Sequence, residues 1–590
     1  MANEWSLDEL YPSFASADFQ EDLNLVEDKI SEINEWVADN LTAERSKVEQ
    51  IEEFIELLRE FRKKYSLLAK FAQLKLSVNT NNTEAASYAE QLEKKETDLT
   101  AAQVAFQRWL GELDDLAELI SQSELLKGHE FYLIELAEES KYLLSEAEEV
   151  TISKLQTTGS SAWYKLKQKI VSNLMVEIKL EGEKKELPLS KIRNMAYDSD
   201  AEKRKKAYQA ELEAYPKIED TVASALNSIK GESLTLSKRR GYESPLEKSL
   251  LSSRLDKDVL TAMIEAMEES LPAFQQYYRQ KADLLGHEGG LPFYDLFAPV
   301  GSSEMKFSYD EAEEFIVKNF KTFSNSLADY AKKAFTNDWI DAEPRAGKKG
   351  GAFCMNIHPL GESRILANFE GSFSNVSTLA HELGHGFHGE SLTEESIFNT
   401  DYPMPLAETA SIFCETIIQK AALAEADKTE KLGILENSLM GAGQVIVDIY
   451  SRYLFEKEVF AQREESSLAV EELKELMLDS QKQAYGDGLD HDNLHPYMWI
   501  NKVHYYIPGF DFYNYPYAFG LLFGKGLYAQ YQEQGADFVT DYEDLLAATG
   551  KKKAVEVAEM MDIDITDVEF WRQSLEIIKE DIDEFIRLSN

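Results

Sequence analysis

The sequence has little cysteine, no long hydrophobic run and few basic residues for its length. Only Cys354 and Cys414 among 590 residues are cysteines, which excludes a disulfide framework and is typical of a reducing compartment. The N-terminus has no basic segment followed by an apolar core, so it predicts no secretory signal. The apolar patch at residues 519–523 ends at Lys525, well short of the about 20 residues that span a membrane. We therefore expect a cytoplasmic protein that makes no membrane contact.

Acidic residues outnumber basic ones by 107 to 62, which gives a formal net charge of -45. Such a surface repels a phosphate backbone and excludes nucleic acid as a partner. We interpret the acidic excess as a source of solubility. With 44% hydrophobic residues, the chain is predicted to be folded and largely helical. Its length exceeds what one hydrophobic core serves, which predicts two or more lobes with a cleft between them.

The periodicity of the hydrophobic residues divides the chain into two regions. Over residues 19–155 they recur at intervals of three and four, which predicts long antiparallel helices. Alternation at residues 174–190 predicts a hairpin. We place an N-terminal helical region at residues 1–195, ending in this hairpin, and a second region of helical lobes at residues 196–590. Strands are predicted at residues 352–358 and 364–369, and an exposed edge of this sheet could hold an extended peptide.

The segment with the clearest chemistry contains the pattern H-E-x-x-H, formed by His381, Glu382 and His385. Residues four apart lie on one face of a helix, about 6 Å apart along its axis, so both imidazoles can reach one metal ion. Glu382 then lies beside the metal, where it can take a proton from a water molecule. A turn with capping residues at 371–375 precedes this helix, which is expected to end near Ser391.

A catalytic zinc ion needs a third protein ligand. The longer pattern H-E-x-x-H-x-x-G-x-x-H requires histidine at position 391, where this chain has Ser391. A glutamate from the following helix is the alternative, and Glu408, expected early in that helix, is favoured over Glu390, Glu394, Glu395 and Glu415. Glu415 is expected to share a face with Glu408 and to orient a ligand histidine. His388 is either a group beside the ligands or substrate, or a partly buried histidine.

A second candidate segment lies between His504 and Gly520, and it is broken by glycine and proline and dense in tyrosine. An ordinary core prefers phenylalanine and leucine, because each buried tyrosine hydroxyl needs a partner. Peptide hydrolysis needs donors for a developing oxyanion, which tyrosine and imidazole can supply. Aromatic packing is the alternative interpretation, and it is expected to hold for several of these tyrosines.

With these segments, the chain resembles the oligoendopeptidase F family of thimet-oligopeptidase-like zinc metallopeptidases. The resemblance is carried by residues 380–388, 405–411, 291–299 and 504–520. It implies a mainly α, multi-helix, two-lobed peptidase that encloses a deep cleft, with a small β-sheet next to the zinc-binding helix. It also implies cleavage of internal bonds in short unstructured peptides in the cytoplasm.

By matching position, the resemblance implies one Zn²⁺ per chain, bound by His381, His385 and Glu408, with Glu382 as general base. It also implies substrate contacts from His504 and from tyrosines of the 513–517 group, where Tyr517 is favoured for the oxyanion, Tyr515 comes next and Tyr513 is not excluded. A metallocarboxypeptidase of similar architecture and a non-catalytic peptide-binding protein are the alternative functions. The sequence indicates no oligomeric state.

Overall fold

The computed structural model describes residues 4–301 and 305–590. The predicted mainly α fold is confirmed. The first helices are α1 (Ala17–Asn40), α2 (Lys47–Val78), α3 (Thr83–Thr97), α4 (Thr100–Gly111), α5 (Leu116–Ser121), α6 (Glu124–Lys127), α7 (Glu130–Glu139), α8 (Glu146–Thr158) and α9 (Ser160–Ser172). The next are α10 (Leu189–Asn194), α11 (Ala201–Ala214), α12 (Glu219–Arg240), α13 (Pro245–Ser252), α14 (Lys257–Leu284), α15 (Tyr309–Phe323), α16 (Asn325–Thr336), α17 (Phe373–Ser391) and α18 (Met404–Ala407). The last are α19 (Thr409–Glu425), α20 (Lys428–Gly443), α21 (Ile449–Glu465), α22 (Val470–Tyr485), α23 (Met498–Asn501), α24 (Tyr515–Gln534), α25 (Phe538–Ala548), α26 (Ala554–Glu559) and α27 (Val568–Ser589).

Two small sheets interrupt the helices. The predicted hairpin is present as the antiparallel pair β1 (Met175–Leu180) and β2 (Glu183–Pro188). The second sheet has the order β3-β5-β4, with β3 (Ile340–Asp341) parallel and β4 (Phe353–Ile357) antiparallel to the central β5 (Glu362–Leu366). The two strands predicted before the metal helix are therefore present, and β4 lies at an edge of the sheet.

The chain forms two compact units, each built from three stretches of sequence. The first unit comprises Met1–Leu143, Met305–Ala421 and Tyr531–Asp562, and the second comprises Leu144–Glu304, Ala422–Gln530 and Ile563–Asn590. The core of the first unit is formed by apolar residues of α1, α2 and α4 together with Ile357 and Phe398. The second unit contains the long helices α14 and α27, whose rings Tyr277 and Phe585 contact edge to face. The predicted division at residue 195 stays a prediction.

The start and end of α17 follow from its sequence. Ser372 caps the helix by accepting a hydrogen bond from the backbone N–H of Asn375, and the Asn375 side chain returns a bond to Ser372. The capping turn predicted at residues 371–375 and the helix end predicted near Ser391 are both present. Buried apolar residues at positions 376, 379, 380, 383 and 387 form the face that packs in the first unit. Residues 381 and 385 lie beside this apolar face.

Gly384 allows α17 and the start of α19 to approach closely. A Cβ atom at this position would lie 2.6 Å from the carbonyl oxygen of Ala410 and 2.6 Å from the Cα of Ser411. These are backbone atoms, which cannot move aside as a flexible side chain does. A glycine is therefore required at the crossing of the two helices.

We predict that Gly384→Ala lowers the free energy of unfolding by about 1–3 kcal/mol, because the added methyl group overpacks this crossing. Gly441→Ala is the matched control, since Gly441 lies within α20 and a Cβ there meets no atom within 4 Å. That control should stabilise the protein by about 0.4–1 kcal/mol, because it restricts the unfolded chain. Denaturant titration of the purified variants measures both changes. Equal effects of the two substitutions would contradict the required close approach.

Candidate metal centre and active site

His381, His385 and Glu408 meet at one point of the first unit. One ligand atom from each lies within 4.8 Å of the others. Oε2 of Glu408 lies 3.3 Å from Nε2 of His381 and 3.6 Å from Nε2 of His385. The two imidazole rings are 4.8 Å apart and nearly perpendicular. The four-residue spacing on α17 thus directs both Nε2 atoms toward the same carboxylate, as the sequence predicted.

Glu408 lies just before α19 and not within it, which differs from the sequence prediction. α18 ends at Ala407, α19 begins at Thr409, and Glu408 between them has φ -87° and ψ 2°. Its carbonyl oxygen accepts the first hydrogen bond of α19, from the N–H of Ile412. The hydroxyl of Ser411 donates to its Oε2 at 2.6 Å. A break between helices, which periodicity does not reveal, therefore orients this carboxylate.

Both histidines have a further hydrogen-bond partner besides Glu408. Nδ1 of His381 lies 3.2 Å from Oε2 of Glu415, and because a carboxylate only accepts, the imidazole donates there. This contact agrees with the orienting role expected for Glu415. The ring of His385 hydrogen-bonds to the backbone of Ala407. With Nδ1 donating to Glu415, His381 can offer Nε2 to a metal ion once this nitrogen has lost its proton, which is the arrangement found around zinc-binding histidines.

The donor set fits a zinc ion. Two imidazole nitrogens and one carboxylate oxygen are the protein ligands found in catalytic zinc sites, where a fourth position stays open for water or substrate. All three side chains are partly buried, and the nearby histidines and carboxylates leave an excess of negative charge. These residues could therefore hold one divalent ion.

Glu382 lies beside this group and is only 6% exposed. Burial raises its pKa to about 7, and the negative charge of Glu408 adds to the rise, whereas His381 and a hydrogen bond from the backbone of Cys354 oppose it. Cys354 belongs to the edge strand β4, so the sheet contacts the carboxylate directly. A buried carboxyl group with a pKa near neutrality is suited to accept and return a proton at physiological pH.

The charges of the metal-free site are strongly coupled. Although burial lowers the pKa of His381, hydrogen bonds and charge from Glu408 and Glu415 raise it overall to about 10. Burial lowers the pKa of His385 to about 4. Burial opposes the ionisation of Glu408, but its contacts with His381 and His385 lower its pKa to about 2. At neutral pH a proton on His381 therefore partly balances the carboxylates.

His388 is fully buried, which favours the structural interpretation of this residue. Its Nε2 lies 2.8 Å from the hydroxyl of Thr549, and its ring stacks on Tyr402 at 4.1 Å. Burial lowers the pKa of His388 to about 3, so the imidazole is neutral. Sequence reasoning missed Tyr402 and also Asn356, whose side-chain amide donates to the carbonyl oxygen of His385 at 3.1 Å. No spacing rule links these residues to the motif.

His504 and the tyrosine segment belong to the second unit. The ring of His504 lies 5.2 Å from that of Tyr513 and 5.8 Å from that of Tyr517. Tyr515, by contrast, is fully buried, and its hydroxyl hydrogen-bonds with Ser249 and Ser253. Tyr515 therefore fits the packing interpretation better than a substrate contact. Tyr513 and Tyr517 share a cluster with His504.

Comparison with known proteins identifies the family. A family model described as Peptidase family M3 matches residues 194–577, and one described as Oligopeptidase F matches residues 112–175. The chain belongs to peptidase family M3. The predicted membership of the oligoendopeptidase F group is confirmed, and with it the assignment as a metallopeptidase. Among the described residues, no helix combines the length and apolar character that a membrane span requires.

The matches to similar proteins cover between 81% and 99% of this M3 chain. An oligoendopeptidase F homolog from Borreliella burgdorferi is 24% identical over 601 residues, covering 99% of this chain and 98% of that protein. Oligopeptidase PepF of Bacillus subtilis is 24% identical over 484 residues, which cover 81% of this chain and 71% of that protein. The crystal structure of a putative peptidase from Chlamydophila abortus has a TM-score of 0.84 at 22% identity, covering 99% and 98%. Oligoendopeptidase-F from Enterococcus faecium has a TM-score of 0.73 at 18% identity, covering 97% and 98%. These solved structures share its fold.

We predict that zinc binding at pH 7 releases about one proton from His381, plus a fraction from Glu382. The pKa of His381 is raised to about 10 in the metal-free protein, so its imidazole carries a proton at pH 7 that a metal ligand must lose. Calorimetric zinc titrations in buffers of different ionisation enthalpy give the number of protons released. Glu415→Gln should reduce this number, because it removes one of the carboxylates that raise the pKa. Glu390→Gln is the control, because Glu390 lies on α17 with His381 but does not contact its imidazole. A binding enthalpy that does not depend on the buffer would contradict the prediction.

Proposed function

We propose that this M3 peptidase hydrolyses internal bonds of short, unstructured peptides with one Zn²⁺ held by His381, His385 and Glu408. The observation that carries the proposal is the convergence of both Nε2 atoms on one oxygen of Glu408. The buried carboxylate of Glu382 lies next to this point. The oligopeptidase names of the similar proteins support peptides as the substrate class.

The zinc ion would supply a Lewis acid for the peptide carbonyl and lower the pKa of an attacking water molecule. Glu382 takes the proton from that water and returns it to the nitrogen of the leaving amine. The backbone N–H of Cys354 holds the Glu382 carboxylate in place. Glu415 keeps the imidazole of His381 in the orientation and tautomer that present Nε2.

The substrate is assigned to the free edge of β4. An extended peptide can add to an exposed sheet edge through main-chain hydrogen bonds, and β4 already contacts Glu382 through Cys354. This mode of binding suits unstructured peptides, because their backbone can become extended without the unfolding of a packed structure. We assign His504 and Tyr517 as donors to the developing oxyanion, since their rings cluster and carry polar groups suited to that charge. Cytoplasmic location is part of the same proposal and is supported by the free thiols of Cys354 and Cys414.

We predict that Glu382→Gln lowers kcat by about 10²–10⁴-fold, the contribution of a positioned general base, and leaves bound zinc unchanged. Cleavage of an internally quenched peptide with both ends blocked measures the rate, and mass spectrometry of the products locates the cleaved bond. Blocked ends exclude a carboxypeptidase. Glu390→Gln is the control, because Glu390 is a partly buried carboxylate on the same helix that interacts with Lys333. Retained activity in the Glu382 variant would reject its role as base.

We predict that Glu408→Gln weakens zinc binding far more than Glu415→Gln. Glu408 is a ligand in this proposal, whereas Glu415 acts through His381, and loss of such an orienting contact typically costs about 10–100-fold in metal affinity. Competition with a fluorescent zinc chelator measures both affinities. If Glu408→Gln bound zinc as tightly as the unaltered protein, another residue would have to be the third ligand.

A further inference from the structure

A cavity of about 240 Å³ lies at the end of α17, in the first unit. It is lined by Lys70 of α2, Asn356 of β4, His358, Gly389 of α17 and residues 400–402. Its volume is below that of most sites for drug-sized ligands, so it suits one amino-acid residue better than a whole peptide. The charged side chains in its wall are Lys70 and Asp401.

Lys70 brings a positive charge into this cavity without an acidic partner. Its ammonium group donates to the carbonyl oxygen of Asn356 at 2.7 Å. Burial lowers the pKa of Lys70 to about 8, and no carboxylate in the described part of the chain offsets that effect, although exposed Asp401 lines the same cavity. A buried charge is costly unless it is paired. Lys70 therefore forms no ion pair in the described part of the chain, and the charged groups of the wall are its ammonium and the exposed Asp401 carboxylate.

Asn356 contacts both the cation of the cavity and the helix that carries the histidine ligands. The carbonyl oxygen of this residue accepts from Lys70, and its side-chain amide donates to the carbonyl oxygen of His385. Gly389 lies four residues beyond His385, which is about 6 Å along the axis of α17. Along β4, Cys354 contacts Glu382 and His358 reaches the cavity four residues later, which is about 13 Å in an extended strand. An extended peptide covers these distances with two to four residues.

We propose that this cavity binds a carboxylate of the peptide substrate, two to four residues from the cleaved bond, with Lys70 as its counter-ion. The inference rests on the proposed function in so far as the ligand is a peptide that extends from the metal centre. The carboxylate belongs either to an acidic side chain or to the free C-terminus of the peptide. Lys70 would then act as a residue that determines specificity.

The test compares peptides that differ in one carboxylate. One set of quenched peptides carries Glu or Gln at each of the four positions on either side of the cleaved bond, and a second set ends in a free or an amidated C-terminus. The readout is the ratio of kcat/KM between the charged and the neutral peptide of each pair. A ratio has the advantage that a loss of overall activity in a variant does not affect it.

We expect the zinc-loaded protein to prefer the charged peptide by about tenfold at one position, which corresponds to about 1.4 kcal/mol. Lys70→Gln should reduce that ratio to about one, because the amide can still donate to Asn356 but carries no charge. Lys70→Arg should keep the preference. Lys75→Met is the control, since it removes a charge from the same helix at a position that does not line the cavity. A response to Glu identifies a side-chain carboxylate, and a response to amidation identifies the C-terminus.

Binding of the same peptides to the Glu382→Gln protein, followed by fluorescence anisotropy, separates this inference from the proposed function. A preference in binding without any turnover by the unaltered protein would support the cavity and reject the peptidase mechanism. Turnover with equal ratios for all pairs would support the mechanism and overturn the cavity assignment. A preference that persists in Lys70→Gln would also overturn it.

Discussion

The crossing of α17 and α19 at Gly384 is the contact on which the site depends. Because no side chain separates the two backbones there, the residue just before α19 comes within reach of both histidines. Glu408 then places one oxygen 3.3 Å and 3.6 Å from their Nε2 atoms. If the two helices were further apart, Glu408 would lie too far from the imidazoles for all three side chains to bind one ion. The glycine inside the H-E-x-x-H motif is thus a structural requirement of the metal centre.

The close approach of α17 and α19 also brings several carboxylates together. Glu382, Glu408 and Glu415 lie around two imidazoles in a partly buried setting, where the attraction for a cation is stronger than in water. In the metal-free protein a proton on His381 offsets part of this charge, which is why its pKa is raised. A divalent ion provides the same compensation more completely and leaves the histidines neutral. Metal binding and protonation of His381 therefore compensate the same negative charge, so the metal ion displaces the proton.

The sequence predicted the parts of the site that follow from local geometry. The four-residue spacing of His381 and His385, the cap at Ser372 and the strand pattern before α17 depend on neighbouring residues, and all are present. The break that places Glu408 outside a helix was not predictable, because it arises where the chain folds back against α17. Tyr515 was ranked after Tyr517 as an oxyanion donor, yet the structure shows that two distant serines, Ser249 and Ser253, hydrogen-bond to its hydroxyl. Long-range contacts of this kind leave no periodic signal.

The edge strand β4 contacts both the carboxylate of Glu382 and the ammonium group of Lys70. Its Cys354 N–H is directed to Glu382 and its Asn356 carbonyl oxygen to Lys70, so both residues turn their main-chain groups away from β5. In an antiparallel pair the N–H and C=O of one residue point the same way. The carbonyl of Cys354 and the N–H of Asn356 therefore also face the open edge, where they can receive a peptide strand in one register. The two contacted groups limit pairing with an arbitrary strand, and they set the separation of Glu382 and Lys70 along the strand.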